Sequence, residues 1–324
     1  MRYFKELIPK LIEFQRARGK PVPLFFEIKS NLKLAQLWQL SAAGITTLQP
    51  GIESFSDHIL HLMDKGASAM QQVAFLKWGN QLGIACTYNM LMRNPGETVE
   101  DYRRMTEMLP FITHIQPPLG VANMQLERYS PYFLQPEKFG MTNVRPQPHY
   151  KDMFPDPSVN TEQLVYCFDF DHEELDAPDL VAARREFAMA VFDWQATWKQ
   201  RQLDYYDRDG SVVILDRRGG GHKRYKLEGF QCEVFRFIDY ARPFMAIRRA
   251  FPDVAPAALR AFLEKMVSLR YIYHHADDSY IAVPLRSYTK EEFEAEMESA
   301  VRALASPPAR IPKSRELVVL PSFA

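Results

Sequence analysis

Polar residues, most of them glutamate, glutamine or asparagine, recur in this sequence of 324 residues where short apolar runs end. Carboxylates at such positions can serve as acid and base groups, and amides can hydrogen-bond to a polar ligand. Alternatively, each residue only caps a helix or stabilises a turn. The residues concerned are Glu27, Lys29, Gln49, Glu53, Ser54, Asn89, Glu97 and Gln116.

The apolar runs alternate with amphipathic helical patterns from residue 3 to about 127. Gly44 and Gly83 each follow a helical segment and precede a strand, the usual place for a helix stop. This alternation predicts a parallel β/α architecture, in which functional groups lie on loops at the carboxyl ends of the strands. The predicted strands are 23–29, 45–49, 84–91 and 113–116, with 121–128 as a continuation or a second piece.

In the second half of the chain the residue composition and the predicted secondary structure change twice. A segment rich in proline and aromatic residues, 129–172, is expected to wrap over the open side of the sheet, because proline excludes long helices. A linking helix follows at 173–205, with Trp194 and Trp198 on one face. The order hairpin, three short helices, hairpin over 206–290 then predicts a small winged-helix-like α+β domain, and 291–324 form a C-terminal tail, loosely held beyond 305.

Composition narrows the class of protein. Forty basic residues balance forty acidic ones, so no net field favours nucleic acid or a membrane surface as a partner. The start MRYFKELIPKLIEF has charges at helical spacing, unlike a signal peptide, and no apolar run approaches the ~18 residues of a membrane span. We therefore expect a cytoplasmic protein.

The three cysteines, Cys86, Cys167 and Cys232, are far apart in sequence. Their spacing predicts buried thiols, with neither a disulfide framework nor a metal knuckle.

Several stretches, spread in order over residues 3 to 150, together resemble one family. They are LFFEIKSNL, AGITTLQPGIESFSDHILHLMDKG, NPGETVEDY, HIQPPLG and ERYSPYF. The sequence is similar to the radical S-adenosylmethionine (SAM) enzymes that mature ribosomally made peptides (RiPPs), especially the group with proposed C-methylation. Residues 206–290 resemble the same group more loosely.

The resemblance implies a partial β/α barrel, of which residues 1–128 would supply the third to sixth of six strands. Such enzymes hold a [4Fe-4S] cluster on a CxxxCxxC loop, and many carry a cobalamin domain; the reduced cluster cleaves SAM to a 5′-deoxyadenosyl radical, and the cobalamin branch delivers a methyl group. No CxxxCxxC loop occurs here. The chain is therefore expected to be N-terminally truncated relative to the family, inactive alone and unable to hold a stable cluster.

The resemblance also implies a cofactor site. In the family, residues at the end of the fourth strand contact the SAM ribose. The corresponding residues here are Glu53 and Ser54, with Gln49 on the preceding strand. The fifth strand contacts adenine, which corresponds to the stretch from Asn89 to Leu91. Glu27 completes the expected set at neighbouring strand ends, and Pro95–Glu97 suits a type II turn. Arg93 stands where the family usually has glycine, and it either intrudes on the adenine pocket or points to solvent.

A precursor peptide is the expected partner of the C-terminal domain. Small precursor-recognition domains bind a leader peptide as an added strand. The expected contacts are strand 211–216 and the basic residues Arg217, Arg218, Lys223 and Arg224, although a merely solvated hairpin is the rival interpretation.

Two other functions remain open. The chain could be a stand-alone peptide-binding remnant or the partner of a separate cluster-bearing polypeptide. It could also be an unrelated barrel hydrolase that uses Glu27, Glu53 and Glu97 as acid and base groups.

Overall fold

The computed structural model describes residues 2–18 and 21–305. Its first half alternates helices and strands as the sequence predicts. The elements are α1 (Arg2–Ala17), β1 (Leu24–Ile28), α2 (Leu34–Ala42), β2 (Ile45–Pro50), α3 (Asp57–Leu62), α4 (Ala69–Gln81), β3 (Ala85–Cys86), β4 (Asn89–Met92), α5 (Val99–Ile112) and β5 (Gly120–Asn123).

These strands form an open parallel arrangement. β1, β2 and β3 pair side by side, and β4 pairs with β5. Gly44 and Gly83 have φ values of +82° and +68°, the left-handed conformation expected of a helix stop before a strand. The described residues form a mixed α/β fold without a closed barrel.

The predicted strand 84–91 consists of two pieces with different partners. Ala85 and Cys86 pair with β2, and the chain pairs with β5 from Asn89 onward. Because the N–H of Leu91 donates to the Glu53 carbonyl (2.8 Å), the loop after β2 stays attached to β4 after the change of partner.

The prediction of a strand at 113–116 is wrong. α5 runs to Ile112, and residues 113–115 form the turn that follows it. Pro117 and Pro118 lack the N–H that a central strand needs, so pairing resumes only at Gly120. The strand near 121–128 is in fact two, β5 and a short piece at Leu126–Glu127.

The proline-rich segment contains short elements in place of a purely extended wrap. From just before this segment to just after it, the elements are β6 (Leu126–Glu127), α6 (Pro131–Leu134), β7 (Thr142–Pro146), α7 (His149–Met153), α8 (Thr161–Leu164) and β8 (Cys167–Asp171), with single 3₁₀ turns at Pro136–Phe139 and Glu174–Asp176. The strands form a small antiparallel sheet in the order β6-β8-β7.

The linking helix, α9 (Pro178–Thr197), is shorter than predicted. Pro178 sets its first turn, and a 3₁₀ turn at Trp198–Gln200 ends the helical segment. Trp194 is fully buried and donates to the Ile115 carbonyl (2.9 Å), while Trp198 is partly buried against the same core.

The C-terminal region contains both predicted hairpins and all three predicted helices. Its elements are β9 (Leu203–Arg208), β10 (Ser211–Asp216), β11 (Lys223–Glu228), α10 (Gly229–Phe237), β12 (Arg242–Pro243), α11 (Phe244–Ala250), α12 (Pro256–Ser268), β13 (Ile272–His274), β14 (Ser279–Ala282), β15 (Leu285–Arg286) and α13 (Lys290–Ala305). The strands form two sheets, β11-β10-β9-β15 and β12-β14-β13.

The segment assigned to a tail begins with a helix, α13, which packs on α1 and α2. The remainder of the tail, 306–324, lies outside the described residues. None of the helices in the described part of the chain combines the length and apolar character needed to cross a bilayer.

A buried lysine joins the two halves of the molecule. Lys77 on α4 has no exposed side-chain surface, and its Nζ donates to Asp239 Oδ1 (2.8 Å) and to the Ala282 carbonyl (2.8 Å). Trp78 Nε1 donates to the other carboxylate oxygen of Asp239 (3.2 Å). Since a buried ammonium must be paired, these contacts fix where the C-terminal region packs on α4.

Candidate functional site

A cavity of about 350 Å³ opens where β1 and β2 end and the chain passes from β3 to β4. In the parallel register of β1 and β2, Glu27 lies directly beside Gln49. The hydrogen bond from the N–H of Leu91 to the Glu53 carbonyl brings β4 to the same place. The predicted cofactor residues that line this cavity are Glu27, Gln49, Glu53, Asn89 and Leu91.

The two carboxylate oxygens of Glu53, which lines this cavity, have different surroundings. Its Oε1 lies 2.6 Å from Lys65 Nζ, and its side chain is 19% exposed. Its Oε2 is buried and has no hydrogen-bond partner among the described residues. Because an unpaired buried carboxylate oxygen costs free energy, this atom is a strong candidate acceptor for a ligand hydroxyl or N–H group.

Ser54 does not lie in this cavity, which corrects the expectation that it contacts the same ligand. It is 1% exposed, donates to Met105 Sδ (3.4 Å) and accepts from the N–H of Ser56 (3.1 Å). Successive side chains of an extended segment point to opposite sides, so Glu53 can line the cavity while its neighbour faces the core.

Glu97 stabilises the turn before α5. The N–H of Glu97 bonds to the Asn94 carbonyl (3.1 Å) and Gly96 has φ +87°, as the predicted type II turn requires. Its buried carboxylate accepts from Tyr102 Oη (2.7 Å) and from the N–H groups of Asn94 (2.9 Å) and Arg93 (3.2 Å). Burial raises the pKa of Glu97, against the lowering effect of these hydrogen bonds. It does not line the cavity, so the three-carboxylate hydrolase hypothesis lacks its third group.

Arg93 neither intrudes on the cavity nor points freely to solvent. Its φ is +65°, and its guanidinium contacts Asp176 (3.0 Å) while lying 5.1 Å from the centre of the Phe170 ring. The side chain is 23% exposed. It therefore ties the turn before α5 to the segment that precedes α9.

Lys29 and Gln116 also lie outside the cavity. Gln116 Oε1 accepts from the N–H of Cys86 (3.0 Å), and its own N–H donates to Asn80 Oδ1 (2.8 Å), which makes it a brace for β3. Lys29 lies beside the outer edge of β1.

The candidate peptide contacts divide into two groups. The guanidinium of Arg218 already makes hydrogen bonds within the protein: Nε donates to Asp216 (3.0 Å), and the terminal nitrogens donate to the carbonyls of Leu269 and Arg270. Lys223 and Arg224 are exposed on β11. Arg217 is exposed as well, although its guanidinium donates to Gln202 Oε1 (3.1 Å).

Strand 211–216 cannot receive an added peptide strand, which corrects the expected binding mode. β10 pairs with β11 on one side and with β9 on the other, so its backbone groups are already used. The unpredicted strand β9 makes it internal. Among the described residues, the edge strands of this sheet are β11 and the two-residue strand β15, and β11 is the longer of the two.

A larger cavity, about 840 Å³, lies between α5 and the β13–β14 turn, and the sequence did not predict it. Asp101 accepts from Ser56 Oγ (2.5 Å) and Thr98 Oγ1 (2.8 Å), and it lies 2.9 Å from His58 Nδ1. Burial by itself would raise the pKa of Asp101, but these hydrogen bonds outweigh it and lower the pKa. The capping-box spacing of Thr98 and Asp101 is the feature of the sequence that could have indicated this cluster. Ser56 and Thr98 also cap α3 and α5, so the cluster has a structural role.

The cysteines present do not fit a [4Fe-4S] cluster. Cys86 lies on β3, Cys167 on β8 and Cys232 on α10. Burial raises the pKa of the Cys86 thiol to about 12, which opposes the thiolate that a cluster requires. The described residues contain no group of three or more His, Cys, Asp or Glu side chains placed to hold a metal ion.

A scan against protein-family models and a search of curated proteins both find no match. Among solved structures, the chain aligns with radical SAM enzymes at low similarity. The methyltransferase TsrM from Kitasatospora setae, with tryptophan and a SAM analogue bound, gives a TM-score of 0.43 at 14% identity over 57% of this chain and 40% of that one. A second TsrM structure, with cobalamin and a [4Fe-4S] cluster, gives 0.36 at 16% identity over 44% and 29%. The chain thus spans less than half the length of either.

A third alignment covers most of this chain. Coproporphyrinogen III oxidase HemN from Escherichia coli, a radical SAM enzyme, gives a TM-score of 0.32 at 12% identity over 93% of this chain and 74% of that one. Each of these TM-scores lies below 0.5.

Proposed function

We propose that this chain supplies the carboxyl-terminal barrel strands of a radical SAM enzyme that modifies a ribosomally made peptide by C-methylation. The family-specific sequence stretches support the proposal, and so does the convergence of Glu27, Gln49, Glu53, Asn89 and Leu91 on one cavity. The ligands of the cluster would come from outside these 324 residues.

The observation that carries the proposal is the buried, unpartnered Oε2 of Glu53. A carboxylate in this position would accept hydrogen bonds from the vicinal hydroxyls of a ribose, and charge-assisted hydrogen bonds of this kind contribute about 1.5–3 kcal/mol. Asn89 would hydrogen-bond the base, and Leu91 would supply an apolar contact to it. These residues bind and orient the nucleoside; the radical chemistry belongs to the cluster.

Titration of the purified chain with SAM tests this proposal. We expect weak binding, in the millimolar range, because the amino-acid head of SAM lacks its cluster anchor. Glu53→Ala should weaken binding at least about tenfold, the effect of losing roughly 1.4 kcal/mol. Glu13→Ala, at an exposed glutamate of α1, is the control and should leave affinity unchanged. Equal affinities of the Glu53→Ala and wild-type proteins would contradict the proposal.

A second candidate function is peptide capture by a chain that works alone or beside a cluster-bearing polypeptide. The free edge of β11, with Lys223 and Arg224 exposed along it, supports this candidate. Backbone groups of such an edge can pair with an extended peptide, and the two cations suit an acidic leader.

An acidic, leader-like peptide provides the test. We expect amide shifts along 223–228, and the double variant Lys223→Glu/Arg224→Glu should abolish them by charge repulsion. Lys10→Glu on α1 reverses an exposed charge elsewhere and should preserve them. Shifts confined to other regions, or shifts that survive the double reversal, would exclude peptide binding at this edge.

A further inference from the structure

A further cavity, of about 470 Å³, lies where the loop after β1, the helix α4 and residues 240–242 meet. None of the predicted cofactor or peptide contacts lines it. The apolar side chains around it are each 4% exposed: Leu32, Met70, Ala74 and Trp78. Its volume is in the range of small-molecule pockets, about 300–1,000 Å³, so the cavity can accept an apolar group of modest size.

Two basic residues, Lys33 and Arg242, line the same cavity. Lys33 is exposed just before α2, and Arg242 is partly buried on β12. The Nε atom of Arg242 is buried and has no hydrogen-bond partner in the described part of the chain. Because an unpartnered buried donor on a charged group costs free energy, Arg242 is a strong candidate donor to an anion in this cavity.

Aromatic rings position the guanidinium of Arg242. Its central carbon lies 4.9 Å from the centre of the Phe237 ring and 5.7 Å from that of Tyr240. Cation–π contacts of this kind use the ring faces and leave N–H donors available. Asp239, the acidic residue nearest to Arg242 in sequence, is instead paired with Lys77 Nζ (2.8 Å).

The backbone around the cavity favours a carboxylate over a phosphate as that anion. Proteins often hold phosphate with free backbone N–H groups at the start of a helix. Here the N–H of Lys33, before α2, donates to Gln36 Oε1 (2.9 Å). The N–H of Gln71, in the first turn of α4, donates to Ser68 Oγ (3.3 Å). Side chains would therefore hold the anion, and a guanidinium matches a planar carboxylate through two parallel hydrogen bonds.

We propose that this cavity binds a small carboxylic acid with an apolar body. The carboxylate pairs with Arg242, and Lys33 adds a second positive charge at the entrance. The apolar body packs among Leu32, Met70 and Ala74. Because the ligand contacts both the loop after β1 and residues 240–242, its binding stabilises the packing of the C-terminal region on the first half of the chain.

Titration of the full chain with phenylpropionate, without SAM and followed by amide chemical shifts, tests this inference. We expect binding in the millimolar range, with shifts at residues 30–33 and 240–242. Phenylpropionamide has nearly the same shape but no charge, and it should bind at least about tenfold more weakly. Arg242→Gln keeps a hydrogen-bond donor but removes the charge, and it should weaken phenylpropionate binding by the same factor.

Two further variants complete the comparison. Lys33→Gln changes an exposed side chain that contributes little packing, and it should weaken binding about threefold. Arg248→Gln, at an exposed arginine of α11, is the matched control and should leave the affinity unchanged. Glu53→Ala separates this cavity from the SAM site, because it should weaken SAM binding and leave phenylpropionate binding unchanged.

Four results would overturn the inference. Two of them are equal affinities for the acid and the amide, and equal affinities of the wild-type and Arg242→Gln proteins. Inorganic phosphate that shifts the same amides at the same concentration would show a site for any anion. A tetraglutamate peptide that binds there as tightly as phenylpropionate would show that the apolar body contributes nothing.

Discussion

Arg93 holds a backbone conformation that glycine adopts more easily. Its φ of +65° brings Cβ close to neighbouring backbone atoms, which costs about 1 kcal/mol for a non-glycine residue. The contacts with Asp176 and the Phe170 ring offset this cost. The backbone at this position is thus one that glycine adopts without strain, while the arginine side chain connects the turn to the segment before α9.

We predict that Arg93→Gly is about 1 kcal/mol more stable than Arg93→Ala, because both lose the same side-chain contacts and only glycine relieves the left-handed strain. Chemical denaturation of the two variants measures the difference. Arg185, exposed within α9, provides a control with the opposite sign: there glycine should be the less stable of the pair by about 1 kcal/mol. Equal stability of Arg93→Gly and Arg93→Ala would contradict the assignment of strain.

At the same scale, the sequence indicated the candidate cavity better than it indicated which side chains enter it. Glu27, Gln49, Glu53 and Asn89 were predicted because strand ends collect polar groups in parallel β/α folds, whereas Leu91 was predicted only from the family resemblance. Ser54 was predicted because the family resemblance assigns the ribose contact to Glu53 and Ser54 together, but Ser54 is 1% exposed and does not line the cavity. The buried Oε2 of Glu53 depends on packing between three segments, which no local pattern reports.

At the scale of elements, local pattern predicted strands well where apolar residues dominate and poorly where they do not. β1, β2 and β10 have apolar runs and lie where they were expected. β9, with the sequence LDYYDR, is half charged and was missed, yet it is the strand that makes β10 internal. Pairing order is a tertiary property, so the free edge of the C-terminal sheet could not be assigned from the hairpin alone.

At the scale of the whole molecule, two buried basic side chains, those of Lys77 and His114, connect the first half to the C-terminal region. Burial lowers the pKa of Lys77, against the favourable charge of Asp239, and the side chain remains paired at 2.8 Å. His114, directly after α5, approaches the Val283 carbonyl to 2.9 Å through Nε2, while its buried Nδ1 has no partner in the described part of the chain. Nε2 is therefore the protonated nitrogen, and His114 is buried in its neutral form.

Burial lowers the pKa of His114 to about 3, and the nearby positive charges of Arg218 and Lys77 contribute to this lowering. The hydrogen bond with Val283 and the negative charge of Asp216 oppose it. In the unfolded chain the imidazole titrates near 6.5, so the unfolded state binds a proton that the folded state excludes between about pH 6.5 and pH 3. The stability that depends on neutral His114 is complete above pH 6.5 and is lost progressively as the pH falls through this window.

We predict that the wild-type protein loses about 2 kcal/mol of unfolding free energy between pH 7 and pH 5 through this residue, since each pH unit below 6.5 contributes about 1.4 kcal/mol. His114→Gln retains an N–H donor for the Val283 carbonyl but cannot titrate, so this part of the loss should disappear. His149→Gln, at an exposed histidine of α7, should retain the wild-type dependence. Denaturant titrations at the two pH values supply the comparison, and a loss in His114→Gln equal to that of the wild type would show that another group sets the acid sensitivity.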